Sequence, residues 1–213
     1  VTGPDALART RVSLHGIAEG VLAGPQFVAA GTIRLRVDED GISTVAAPEL
    51  RLSAEAVLRP GEAPVPLRGT YASLAAQVRV SFQVPTLYAD HAAVSAEDEI
   101  AVDAAVAMQL LAWFATGRRA LVATFGVEPV LWPEHFDLAV ERDEVTYGIS
   151  LGDQHSPVPY AYVSPWDASV RSASRWFSDA PFGALRGRDA APDADALQRF
   201  FEKGRERARG AQG

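Results

Sequence analysis

WPEHFDLAVERDEVTYGISLGDQHSPVPYAYVSPW, residues 132–166, is the stretch whose alternation decides the fold. It carries two of the four histidines, two of the four tryptophans and three of the five tyrosines, so core pattern and polar chemistry concentrate together here. Successive side chains of a strand point to opposite faces. Phe136, Leu138 and Val140 therefore share one face, and His135, Asp137, Ala139 and Glu141 the other. Arg142, Asp143 and Glu144 read as a polar turn, after which Val145, Tyr147, Ile149 and Leu151 alternate with Thr146, Gly148 and Ser150. The pattern predicts a hairpin. Matching the apolar faces sets Val140 across from Val145 and brings His135 and Asp137 beside Ser150 and Gly148, whose small side chains leave room above the imidazole and the carboxylate. Past the loop 152–159, Ala161 and Val163 turn inward and Tyr160 and Tyr162 join the open face. The expected site is a shallow groove on a sheet surface, polar at His135 and Asp137, aromatic at one side, with Asp153 and His155 in the adjoining loop.

Outward from this stretch, the pattern remains one of hairpins and amphipathic helices. A helix is expected from Asp5 to about Ala23, with Leu7, Leu14, Ile17, Val21 and Leu22 on one stripe, ended by Gly24-Pro25. A strand over 27–37, a turn at 38–41 and a return strand over 42–46 make a second hairpin. Residues 50–58 alternate as a third strand or an irregular edge, and Thr70 caps a helix running to about Phe82, although Val78, Val80 and Phe82 also suit a strand. Ser95 and Asp98 carry the start signal of a long central helix through Ile100, Ala104, Ala107, Leu110, Leu111 and Phe114, which Gly126 closes. Residues 167–175 read as loop or one helical turn, 176–185 as an extended segment, and 196–208 as a terminal helix docking Leu197, Phe200 and Phe201. Tight turns and the absence of repeated βαβ units give an α+β fold. It is an antiparallel sheet built from hairpins, packed against a long central helix and N- and C-terminal helices. The organisation expected is one domain over 1–213, with an N-terminal β-rich half (1–90) and a C-terminal half (91–213) sharing a core as the variant of it.

Composition excludes several classes of function. The chain of 213 residues is 48% hydrophobic and 22% charged, ordinary for a globular protein. Its net charge of −7, with one basic cluster in the C-terminal KGRERAR, argues against nucleic acid and anionic membranes as partners. Zero cysteines remove disulfides, thiolate nucleophiles and Cys-ligated metals, and accord with a cytoplasmic protein. No apolar run approaches the ~20 residues of a membrane span, and no signal-peptide pattern opens the chain. Neither a P-loop nor a dinucleotide fingerprint is present, so no nucleotide cofactor is expected.

The motifs Phe136–Val140 (F-D-L-A-V) and Tyr160–Pro165 (Y-A-Y-V-S-P) resemble those of an uncharacterised, mainly actinobacterial protein family, as do Leu14-His15 and Ile33-Arg34-Leu35 nearer the N-terminus. The family's spacing after the Leu-His pair is tighter than it is here. The resemblance implies the same architecture and supplies no activity, since none is established for the family.

Three readings of the site arise from its residue types. As a small-molecule groove, His135, Asp137, Ser150, Asp153 and His155 would make polar contacts and Tyr160 and Tyr162 stacking contacts, with Trp132, Trp166 and Trp176 as further aromatic surface. As an enzyme, His135 and Asp137 would be base and orienter with Ser150 as the nucleophile within reach, or His135, Asp137 and His155, joined by Glu134 or Asp153, would hold a divalent metal. As a structural or interaction protein, the same residues would only hydrogen-bond one another. His15 and Glu19, at i and i+4, read as an ordinary surface pair, although a His15 turned inward would reach the groove, and Asp90-His91 read as exposed.

Overall fold

A computed structural model describes residues 3–88 and 91–211; Asp90 and the ends of the chain lie outside them. The chain divides into two compact units, one of Val1–Ala115 with Leu131–Phe136, the other of Thr116–Val130 with Asp137–Gly213. Both are built from antiparallel strands and helices, an α+β fold.

The first unit begins with α1 (Pro4–Ile17), a π-helical segment (Ala18–Ala23) and α2 (Gly24–Ala30). Gly24-Pro25 does not end the helix, as its composition suggests, because the chain widens before it. Proline has no N–H and its ring clashes with the carbonyl four residues back. In the widened turn the Gly24 N–H bonds the Glu19 carbonyl, five residues earlier, and the helix passes the proline. Consequently Phe27 is helical, and the strand expected over 27–37 shortens to β1 (Leu35–Asp38), which pairs with β2 (Gly41–Thr44). Residues 50–58 split into β3 (Arg51–Leu52) and β4 (Ala56–Leu58), followed by β5 (Val65–Pro66). Thr70 caps α3 (Tyr71–Gln77) by accepting from the Ser73 N–H at 3.1 Å.

Close approach explains the glycines of the first helix. A Cβ on Gly20 would come within 2.1 Å of the Phe82 ring, and one on Gly24 within 1.6 Å of the Gln83 carbonyl oxygen. The Gln83 N–H bonds the Gly20 carbonyl at 2.9 Å, so the connection after α3 lies directly on the helix backbone.

The central helix, α4 (Ala104–Phe125), starts later than its first capping signal. Ser95 and Asp98 form a turn, with the Ser95 N–H donating to Asp98 at 2.7 Å, while Asp103 receives the N–H groups of Ala105 and Val106 at 2.9 and 3.1 Å. Gly126, at φ 69°, closes the helix as its composition predicts. In the first unit, Phe114 of this helix meets Phe136 edge to face at 5.5 Å. β6 (Val130–Trp132) pairs with β1 through Leu131 and Leu35, giving the order β6-β1-β2-β3-β4-β5.

In the second unit β7 (Asp137–Arg142), β8 (Val145–Ser150), β9 (Tyr160–Pro165) and β10 (Ala184–Gly187) form an antiparallel meander in the order β10-β9-β8-β7. Leu138, Val140, Tyr147, Ile149, Ala161 and Val163 all turn inward and are at most 5% exposed, the alternation read from the sequence. On this face Gly117 of α4 meets Ile149, and Phe125 packs on Tyr147 at 4.6 Å. Between β9 and β10 lies α5 (Ala168–Ala173), the single helical turn allowed for, and α6 (Ala194–Ala211) ends the chain with Leu197 and Phe201 fully buried.

The hairpin register differs from expectation by two residues. Val140 faces Tyr147, and Val145 faces Arg142, because the strand continues through Arg142 and the turn is Asp143-Glu144 alone. Both turn residues have positive φ, 55° and 58°, the conformation a two-residue hairpin loop demands and one that Asn-Gly fills most easily. Glu144→Gly, which relieves a left-handed side-chain residue, is expected to stabilise by about 0.5–1 kcal/mol in urea unfolding.

Candidate functional site

The register places Asp137 opposite Ser150, and Ser150 opposite Tyr160, with Gly148 opposite Tyr162. Of the residues expected at a groove, Asp137, Ser150, Asp153, His155, Tyr160 and Tyr162 thus gather on the second unit, about one sheet face and its loop. Their bonding is mutual. The Tyr162 hydroxyl donates to Asp137 Oδ2, and the Tyr160 hydroxyl to Asp153 Oδ2 at 2.5 Å. Asp153 Oδ1 also receives the N–H groups of His155 and Ser156 at 2.7 and 3.1 Å, and the loop closes about this carboxylate. Burial, together with the charge of Asp153 and the bond donated to it, raises the Tyr160 pKa; burial and Asp137 do the same for Tyr162. Both phenols keep their protons. Phe182 meets the rings of His155 and Tyr162 edge to face at 5.0 and 6.0 Å.

The room inferred above Gly148 is filled from within. A Cβ there would come within 2.4 Å of Tyr162 Cζ, so the glycine is what lets the tyrosine ring lie across the strand and reach Asp137. The face is consequently closed over its centre, where Ala139 and Ser150 are 5% exposed and Tyr160 3%. Ser150 Oγ receives the Gly152 N–H at 3.0 Å and faces Asp137, where the expected register set it against His135. Trp166, at the end of β9, donates to Thr146 Oγ1 at 3.0 Å, and Trp176 packs against Phe177 and Phe200.

His135 is not on this strand. Phe136 has φ 51°, a left-handed conformation rare for a bulky residue, and β7 begins only after it, so the alternation that paired His135 with Asp137 is broken between them. The turn 133–136 belongs to the first unit, and it leads to a polar centre that helical spacing concealed.

That centre starts from the π segment, all six of whose residues are buried. Glu19 is 0% exposed; its Oε1 lies 3.0 Å from His91 Nδ1 and its Oε2 receives the Ala92 N–H at 2.8 Å. A turn earlier, His15 also faces inward, with Nε2 2.7 Å from the Pro133 carbonyl and its ring stacked on Phe136 at 5.0 Å and 3°. The expected surface pair of His15 and Glu19 is thus an inward pair. Pro133 and Phe136 cover His15, and residues 91 and 92 cover Glu19, so the i, i+4 rule for an exposed helix face does not apply. His91 stays at the surface, its ring 5.2 Å from that of Tyr88.

Electrostatics tie these groups together. Burial first, and then the neighbouring His135, Arg11 and His91, lower the His15 pKa to about 4 against the opposing bond to Pro133. At neutral pH the ring is uncharged. Because a carbonyl only accepts, its proton sits on Nε2 and its Nδ1 presents a lone pair. Burial and then the charge of Glu19 raise the Glu134 pKa, with its own backbone N–H and His135 opposing. Tyr88 is raised by burial, by the charges of Glu19 and Glu134, and by the approach of its hydroxyl to the Glu19 carboxylate, an approach too poorly aligned to close a bond. Tyr88 Oη and Glu134 Oε2 are both buried and neither closes a hydrogen bond.

Among the described residues no group of three His, Asp or Glu side chains could hold a metal ion, and no helix is long and apolar enough to cross a membrane. Two open clefts lie away from both sets of residues. One of about 750 Å³ runs along α6, lined by Arg199, Glu202 and Lys203, and one of about 630 Å³ lies beside β2, lined by Ser43, Arg51 and Glu62. No family model, curated protein or solved structure matches the chain.

Proposed function

We propose that this is a small-molecule-binding protein, cytoplasmic as its lack of cysteine suggests, whose ligand site is the polar centre of the first unit. One observation carries the reading: Tyr88 Oη and Glu134 Oε2 are buried and close no hydrogen bond, in a centre where Glu19, His91, Ala92 and His15 Nε2 already make theirs. An unsatisfied buried polar group costs about 1–3 kcal/mol, and two at one place are retained where something completes them. The sheet face around Asp137 and Tyr162 is, on this reading, a support. Its phenols already donate to its carboxylates, so a ligand there would have to displace bonds the fold makes for itself.

Two measurements test this. Tyr88→Phe removes an unbonded hydroxyl and should raise the unfolding free energy of the ligand-free protein by about 1 kcal/mol. A loss of stability would mean that the hydroxyl is already satisfied. In an NMR fragment screen, hits should shift resonances of residues 15–24, 83–88, 91–92 and 131–136. Those shifts should vanish in Tyr88→Phe and Glu134→Gln and persist in Tyr162→Phe. Hits confined to residues 150–162, or untouched by the first two substitutions, would move the site to the sheet face.

A further inference from the structure

Counting donors and acceptors at this centre narrows the ligand. The donors are spent: the His91 Nδ1 proton and the Ala92 N–H are on Glu19, and His15 Nε2–H is on the Pro133 carbonyl. Among the described residues the Tyr88 hydroxyl, which lies toward Glu19, is the donor that closes no hydrogen bond of good geometry. Acceptors are in surplus. A carboxylate has about four acceptor positions, and Glu19 uses one on each oxygen. Glu134 Oε2 is unbonded, and His15 Nδ1 carries its lone pair. Tyr88, and the stacked pair of His15 and Phe136, add aromatic rings, whose faces attract cations. A group completing this centre must bring several N–H donors and positive charge. An anion would meet two carboxyl groups; a divalent metal would need three converging ligands, which the described residues do not supply.

We propose that the centre binds a primary ammonium group, carried on a small molecule whose remainder extends toward solvent past the exposed His91 and His135. This rests on the reading of the centre as the ligand site. Glu134 and Tyr88 close the hydrogen bonds they lack, and Glu19, already oriented by His91 and Ala92, supplies the fixed charge.

The experiment titrates the full chain with n-butylammonium, butyltrimethylammonium, n-butanol, butyrate and Zn²⁺, followed by NMR shifts at Glu19, Tyr88, His91 and Glu134. Butylammonium should bind saturably. The quaternary analogue, which keeps the charge and loses every N–H, should bind about tenfold more weakly or less, and Glu134→Gln and Tyr88→Phe should each weaken butylammonium by about tenfold while remaining folded. Butanol or butyrate binding as tightly as the amine, with the same dependence on Glu134, would overturn the ammonium assignment and leave a ligand site in place. Zn²⁺ displacing the amine at lower concentration would overturn it in favour of a metal. No shift with any of the five would also overturn it, and the fragment screen then decides separately whether the centre binds anything.

Discussion

Gly24→Ala should destabilise the protein by about 3 kcal/mol, lowering the melting temperature by roughly 10 °C, although alanine is the better helix former. On an open helix the substitution would gain about 1 kcal/mol, because glycine pays more backbone entropy. Here a new Cβ would come within 1.6 Å of the Gln83 carbonyl oxygen, and that oxygen belongs to backbone. Nor can the connection simply move away, since the Gln83 N–H is bonded to the Gly20 carbonyl at 2.9 Å and Phe82 lies against Gly20. The protein must break that bond or bend the helix. Either route disturbs the segment that delivers Tyr88, His91 and Ala92 to Glu19, so butylammonium binding should fall with stability. Gly210→Ala is the control: with nothing within 4 Å of the new Cβ, on an exposed turn of α6, it should be neutral or stabilising by up to about 1 kcal/mol. A Gly24→Ala protein as stable as Gly210→Ala would show that the connection does not rest on the helix.

The parts of the fold that the sequence made legible are those in which side-chain period and burial agree. Leu138, Val140, Tyr147, Ile149, Ala161 and Val163 repeat every second residue and are inward as a set, and Leu197, Phe200 and Phe201 dock the last helix. Where two signals of the same type compete, pattern alone does not choose. Ser95 with Asp98 and Asp103 both look like helix caps, and the apolar spacing from Ile100 to Phe114 suits either start. The two-residue slip at Asp143-Glu144 has a similar origin, because neither residue advertises positive φ as Asn-Gly would.

The polar chemistry divides along the same line. Asp137, Ser150, Tyr160 and Tyr162 were readable as one face because three consecutive strands preserve parity through them. What filled the face was not readable, since nothing local says that the Tyr162 ring lies across Gly148. The centre of the first unit escaped for two backbone reasons. Phe136 in the left-handed region breaks the strand pattern before His135. The π segment ahead of Pro25 is buried on every side, the charged Glu19 with it. Both departures cost energy, of order 1 kcal/mol for a left-handed bulky residue, and both act on the same small group of side chains. A usable signal is the run of glycines at 16, 20 and 24, which marks a helix face approached closely by Tyr71 and Val94, by the Phe82 ring and by the Gln83 backbone, with Glu19 beside it.

His15 gives the second large effect, a loss of stability in acid. Its folded pKa of about 4 lies below the ordinary 6.5, so on acidification the unfolded chain takes up this proton first. The contribution is complete near pH 7 and drains away as the pH falls from about 6.5 toward 4. At full strength that gap corresponds to about 3 kcal/mol. The side chain retains some exposure, and on the order of 2 kcal/mol is the expected size. Glu134 acts in the opposite sense. Its raised pKa lets the folded protein hold a proton the unfolded chain has released, so its contribution is present at low pH and lost as the pH rises. The two terms overlap, and the measurement must separate them. In a Glu134→Gln background, urea unfolding from pH 7 to 4 should show a decline that the further substitution His15→Gln reduces by on the order of 2 kcal/mol. Gln offers an N–H to the Pro133 carbonyl and does not titrate, so the carboxylates common to both proteins cancel in the difference. Parallel pH curves for the two proteins would mean that His15 is solvated, and with it the inward face on which the ammonium site depends would be lost.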